Sequence, residues 1–231
     1  MNVGFELSTT ERMTREWAER YYKEVLGDNA DCFTVIDPKT YGFTKVDDEA
    51  FSGWFRGSEI IFPEGIVYIG RGACQHMENL ERVVFPSTLE YIDRNAFLYC
   101  EYLREVEFPE GLLKIDESAF ELCHELKTVD IPGSVIEVGP CAFCHCRKLR
   151  RVRLHEGTEY LREKAFGLNR RIVFIPRLPA TVIEEYEDEN GIMRSVYEAF
   201  DNTTWSQSTL RKKWHFWHNR KKGTDIHRRN F

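Results

Sequence analysis

Five copies of the dipeptide Ala-Phe, at Ala50-Phe51, Ala96-Phe97, Ala119-Phe120, Ala142-Phe143 and Ala165-Phe166, fall on one series with a step of 23 residues. Ala73-Cys74 fills the vacant step in phase, so six successive coils keep one period. Other columns repeat with it: Phe62-Pro63, Phe85-Pro86, Phe108-Pro109 and Ile131-Pro132, with Leu154-His155 continuing the phase without its proline. Leucine recurs at 80, 103, 126 and 149, valine at 83, 106, 129 and 152, and an aliphatic side chain at Ile69, Ile92, Ile115, Val138 and Leu161. A unit this short cannot bury its apolar face alone. The chain must stack coil on coil, as a solenoid.

Within a coil the alternation of Val106 and Phe108 has the period of a short strand with one buried face. The proline that follows lacks an amide donor and ends the strand. Farther on, Ala119, Phe120, Cys123 and Leu126 sit at spacings that suit a tight helical or 3₁₀ turn. Cys100, Cys123 and Cys146 share one column with Trp54 and Met77, which predicts reduced core thiols, with disulfide or redox chemistry as the alternative. The run Cys141-Ala-Phe-Cys144-His145-Cys146 has metal-ligand spacing, but Ala142, Phe143 and Cys146 are repeat positions facing the core. Cys141, Cys144 and His145 are left over, and with no second cluster nearby no metal site is expected.

The segment Val106-Glu-Phe-Pro-Glu-Gly-Leu-Leu-Lys-Ile-Asp-Glu-Ser-Ala-Phe-Glu-Leu-Cys-His-Glu-Leu resembles the BspA-like branch of leucine-rich repeats. The resemblance covers about residues 41–176. It implies a curved leucine-rich-repeat solenoid of the α/β repeat class, with short stacked strands and helical or 3₁₀ turns. It also implies use in adhesion or protein–protein interaction, and many members of that family are cell-surface proteins.

The ends depart from the period. Residues 1–35 carry a capped-helix signal, with Thr9 or Thr10 before the helix, Gly27 after it, and Met13, Trp17, Tyr21 and Val25 or Leu26 along one stripe. A helix here would cover the open end of the first coil. The solenoid is expected to run over residues 36–205, with an acidic insertion near 184–194. In 206–231, Leu210, Trp214 and Trp217 share a helical face, and a second cap is one reading. The other is an arm for a partner or an anion, nucleic acid included, through Lys212, Lys213, Arg220, Lys221 and Lys222. Residues 210–231 hold eight Lys and Arg against one acid, whereas the whole chain carries a formal charge of −6.

Function is expected on the outward positions between the buried strand columns: Arg82, Val84, Glu105, Glu107, Thr128, Asp130, Arg151 and Arg153, with Ile61 at the start of the row. The row grades from apolar to acidic to basic, which suits one specific protein partner. No phosphate-cradling glycine loop, nucleophile elbow or zinc-protease signature occurs, so the reading is a non-catalytic interaction scaffold without a cofactor. The alternative is a nucleic-acid-associated or ribonucleoprotein subunit anchored through the tail. No run of 18 apolar residues predicts an integral membrane segment. Seven cysteines, an odd number, and no leader-like run point to an intracellular site, cytoplasm or nucleus.

Overall fold

The computed structural model describes residues 12–27, 29–34, 41–155 and 157–169, together with the backbone of 173–176, 185–187 and 193–195. It opens with strand β1 (Arg12–Met13) and helix α1 (Arg15–Tyr21), followed by one wider π-type turn over Tyr22–Leu26. Thr14 caps the helix, its hydroxyl accepting from the Trp17 amide at 3.3 Å. The cap expected at Thr9 or Thr10 lies outside the described residues, and Met13 belongs to a strand instead of the helical stripe. The reason is tertiary: Met13 pairs in parallel with Val46, and a backbone engaged in a ladder cannot also start a helix. Gly27 ends the segment as expected, with a φ of 88° that a side chain would strain.

Each coil then contributes two short strands, except the one at Glu105–Glu107, which has a single bridge in place of the first. Strands β2 (Cys32–Thr34), β3 (Lys45–Val46), β4 (Glu59–Ile61), β5 (Tyr68–Ile69), β6 (Arg82–Val84) and β7 (Tyr91–Ile92) carry the first three coils. Strands β8 (Lys114–Ile115), β9 (Thr128–Ile131), β10 (Glu137–Val138), β11 (Arg151–Leu154) and β12 (Tyr160–Leu161) continue them. The columns at Ile69 and its equivalents build one parallel sheet in the order β1-β3-β5-β7-β8-β10-β12. From β3 onward each of its steps joins residues 23 apart, as in Tyr91 with Lys114.

The valine columns build a second face, and this one is interrupted. Strands β2, β4 and β6 form one three-stranded sheet, and β9 and β11 form another with β13 (Val173–Pro176). Between them, at Glu105–Glu107, a single bridge from Arg82 to Glu105 is all that forms. Register to β13 pairs Leu154 with Pro176, so that coil is shortened by one residue. Within the stretch expected to be an acidic insertion, β14 (Glu185–Glu187) pairs antiparallel with β15 (Met193–Ser195).

The segments expected as helical or 3₁₀ turns are runs of β-turns. Ser118 (φ 53°) and Leu122 (φ 64°) are left-handed, and a helix cannot pass through them. Alternate amides explain the difference: Ala119 and Glu121 donate back within the turn, to Asp116 and Ser118, while Ser118, Phe120 and Leu122 donate across to Pro140, Ala142 and Cys144. An amide given to the next coil cannot serve a helix. The turns thereby add a third inter-coil ladder.

The core sits between these three walls. Phe97, Phe120, Phe143 and Phe166 stack as a file of nearly parallel rings with centroids 5.0, 5.3 and 5.2 Å apart. Cys74 takes the ring's place one coil earlier and interrupts the file. The column of Cys100, Cys123 and Cys146 is fully buried and reduced, as expected. Their thiols donate to the carbonyls of Cys74, Phe97 and Phe120 at 3.1, 3.4 and 3.2 Å, so each satisfies a backbone acceptor 26 residues earlier. Asn169, next in that column, does the same toward Phe143 at 2.8 Å through its amide. At the other end Trp17 packs against Tyr21, Tyr41 and Phe43 with centroids 4.7, 5.2 and 4.6 Å away.

Candidate functional site

The solenoid offers two sheet faces and one turn edge to a partner. On the interrupted face, two rows of outward residues run along the stack. The first is Glu59, Arg82, Glu105, Thr128 and Arg151; the second is Ile61, Val84, Glu107, Asp130 and Arg153. The sequence-predicted contact residues thus lie side by side, because the side chain at position i of one coil stands beside i+23 of the next.

Stacking also pairs charges that the sequence keeps apart. Arg82 bonds to Glu59, and Arg153 bonds to Asp130 at 2.7 Å. His155 adds a second contact to Asp130 at 2.7 Å. The same 23-residue step pairs Arg104 with Glu81 at 2.9 Å and Lys148 with Glu125 at 2.6 Å. Lys148 holds the Glu125 carboxyl below its ordinary range through that hydrogen bond. The gradient along the face is therefore partly consumed by ladders of ion pairs. What is left over is Glu105, Glu107 and Arg151, all exposed and all without a side-chain partner among the described residues. The two glutamates sit at the interruption of the sheet. Thr128 is also exposed, whereas Val84 and Arg153 are half-buried.

The second face was not singled out from the sequence. Its outward column is Lys45, Tyr68, Tyr91, Lys114, Glu137 and Tyr160, each one residue before a buried aliphatic. The signal was present, as the residue before Ile69 and its equivalents must point outward from a strand. The Lys45 ammonium lies 4.7 Å from the Tyr68 ring centre, and the Arg162 guanidinium 5.0 Å from that of Tyr160. The Tyr68 hydroxyl bonds to Asp93; burial first, then that bond, push its phenol well above the ordinary value. Lys114 reaches Asp116 at 3.1 Å, and Arg162 reaches Glu137 at 2.6 Å. This face is continuous, but its charges are largely tied up with one another.

No group of three or more His, Cys, Asp or Glu side chains is arranged to hold a metal among the described residues. Among the same residues no helix is long and apolar enough to cross a membrane. The tail residues Lys212, Lys213, Arg220, Lys221 and Lys222 lie outside the described residues.

Comparison with known proteins agrees with this architecture. The chain is similar to a leucine-rich repeat protein of T. pallidum, with 29% identity over 58% of this chain and 64% of that one, and a TM-score of 0.51. It is also similar to a leucine-rich repeat protein of Bacteroides ovatus, at 19% identity over 58% of this chain and 47% of that one, with a TM-score of 0.41. The pneumococcal vaccine antigen PcpA matches at 17% identity, over 77% of this chain and 37% of that one, with a TM-score of 0.43. The chain thus spans less than two thirds of the length of each of these solved proteins. No curated protein matches it, and the nucleic-acid reading of the tail gains no support from these likenesses. The family model for the BspA type leucine rich repeat region matches residues 44–173 in six copies. On that match, and on the 23-residue stack that carries it, the chain belongs to the BspA-type leucine-rich-repeat family.

Proposed function

We propose that this chain is a non-catalytic protein-interaction scaffold that receives a protein partner on its interrupted strand face. One observation carries the reading. Along a face where neighbouring charges neutralise each other coil to coil, Glu105 and Glu107 stand exposed without partners at the break between two sheets. Solvated carboxylates held on a rigid scaffold are inexpensive to present. They gain most from a basic partner that desolvates them while supplying the missing cation. Val84 and Ile61 beside them offer a small apolar contact, the usual complement of charge at an interface.

The experiment is capture of binding proteins by the immobilised chain, wild type against Glu107→Lys with Asp130→Lys. The reversal should abolish capture of a partner that wild type retains, while circular dichroism stays unchanged. A partner retained equally by both proteins would move the interface away from this face, and the Tyr68–Tyr91–Lys114 column would be tested next.

A further inference from the structure

Two cysteines of the repeat region, residues 44–173, fall outside every column that the repeat requires. Cys141 occupies the position held by Gly72, Asn95, Ser118 and Lys164 in other coils, and Cys144 the position of Gln75, Leu98, Glu121 and Gly167. Nothing in the packing of the repeat asks for sulfur at either place. Cys141 even bears a left-handed backbone, with φ 53°, where glycine or asparagine is the easier residue. Core thiols such as Cys100 and Cys123 are explained by the carbonyls they satisfy. Cys144 also satisfies a carbonyl, that of Lys164 at 2.9 Å, but Cys141 has no such bond among the described contacts.

Their geometry is that of a closable dithiol. The Cys144 amide donates to the Cys141 carbonyl at 2.9 Å, closing a turn that holds the two α-carbons within about 7 Å. That is the separation a disulfide spans without backbone movement. The two thiols stand at the two ends of that turn. They are also unequal. Cys141 is half-exposed at the turn edge, whereas Cys144 is fully buried, its sulfur 2.9 Å from the Lys164 carbonyl.

We propose that Cys141 and Cys144 are a redox-active dithiol that closes reversibly into an intramolecular disulfide by exchange with small or protein disulfides. Cys141 attacks and Cys144 resolves. The Cys141 thiolate displaces one thiolate from the incoming disulfide and forms a mixed disulfide. The Cys144 sulfur then attacks the Cys141 sulfur, breaks that mixed bond and expels the second thiolate, which takes up the Cys144 proton. Two protein S–H bonds become one S–S bond, and the incoming disulfide is reduced to two thiols. The electrostatics agree with this division of labour. The neighbouring Cys144 thiol holds the Cys141 thiol below its ordinary value against the opposing pull of burial, with Lys164 assisting and Glu121 and Glu163 opposing. The neighbouring Cys141 and its own burial push Cys144 far up, so it acts only once Cys141 has captured a partner. Closure also costs the Cys144 donor to Lys164, so oxidation loosens one contact between this coil and the next.

The test uses the full chain in oxidised glutathione, quenched with acid, alkylated in denaturant and mapped by tandem mass spectrometry. The tryptic peptide Thr128–Arg147 should lose two hydrogens, with no alkyl group on Cys141 or Cys144 and one on Cys146. Cys144→Ser should instead accumulate glutathione on Cys141, and Cys141→Ser should leave Cys144 unmodified. In the native protein a maleimide should label Cys141 at least about tenfold faster than Cys32, whose thiol burial pushes up to about 11. A wild-type peptide that stays fully reduced, that carries stable glutathione on Cys141, or that bridges through Cys146 would overturn the proposal. The wild-type map decides this whether or not either serine variant folds.

Discussion

Truncating Phe120 to alanine removes an inner ring of the four-ring file and is the most demanding test of the repeat phase. Phe120 is fully buried, stacked on Phe97 at 5.0 Å and on Phe143 at 5.3 Å, and it meets the Phe108 ring edge-on at 5.5 Å. Removing a buried phenylalanine costs about 3–5 kcal/mol. That range already contains the lost ring contacts, and the three pairs lost here place Phe120 at its upper end, near ~4–5 kcal/mol. The stack cannot collapse to fill the gap, because coil spacing is fixed by the inter-coil hydrogen bonds on both sides. With a urea dependence of about 1–3 kcal/mol per molar, the midpoint should fall by ~2 M. The neighbouring Glu121→Ala is the control, and a surface change of that kind should stay within about 0.5 kcal/mol. Urea denaturation followed by far-ultraviolet circular dichroism reads both. Equal midpoints for the two variants would mean that the file does not exist in solution and that the 23-residue phase is misplaced.

Trp17→Ala should cost about 2–4 kcal/mol through the lost contacts with Tyr21, Tyr41 and Phe43. Hydrogen exchange should locate that loss at Val46 and not at Val138; undiminished protection at Val46 would refute a stabilising role for α1. Asp130→Asn should destabilise by about 1 kcal/mol or less, since its pairs with Arg153 and His155 are half-exposed. A larger drop in thermal stability would make Asp130 a structural residue and disqualify it as a contact residue free to be reversed.

The division between sequence and tertiary structure follows from what a repeat encodes. Period and phase are written in the chain: which residues of a coil turn inward depends on alternation, on proline after the strand and on the recurrence of Ala-Phe, all local properties. The reduced Cys100, Cys123 and Cys146 column was legible for the same reason. The turn conformation was not, because Ala119, Phe120 and Cys123 have helical spacing while the amides of Ser118, Phe120 and Leu122 are claimed by the next coil. The start of α1 shifted to Thr14 for a similar reason, as Met13 is drawn into a ladder with Val46, thirty-three residues away. Charges on the strand face looked like a gradient because sequence lists them singly; in the stack, Arg82 is spent on Glu59 and Arg153 on Asp130, leaving Glu105 and Glu107 open at the break and Arg151 open beyond it. The break in the sheet at the two glutamates was equally invisible, since strand pairing between coils is decided only in the stack. Within a coil, the fold is decided by one residue's neighbours in the chain. Between coils it is decided by neighbours 23 residues away, and those only the stacked structure brings together.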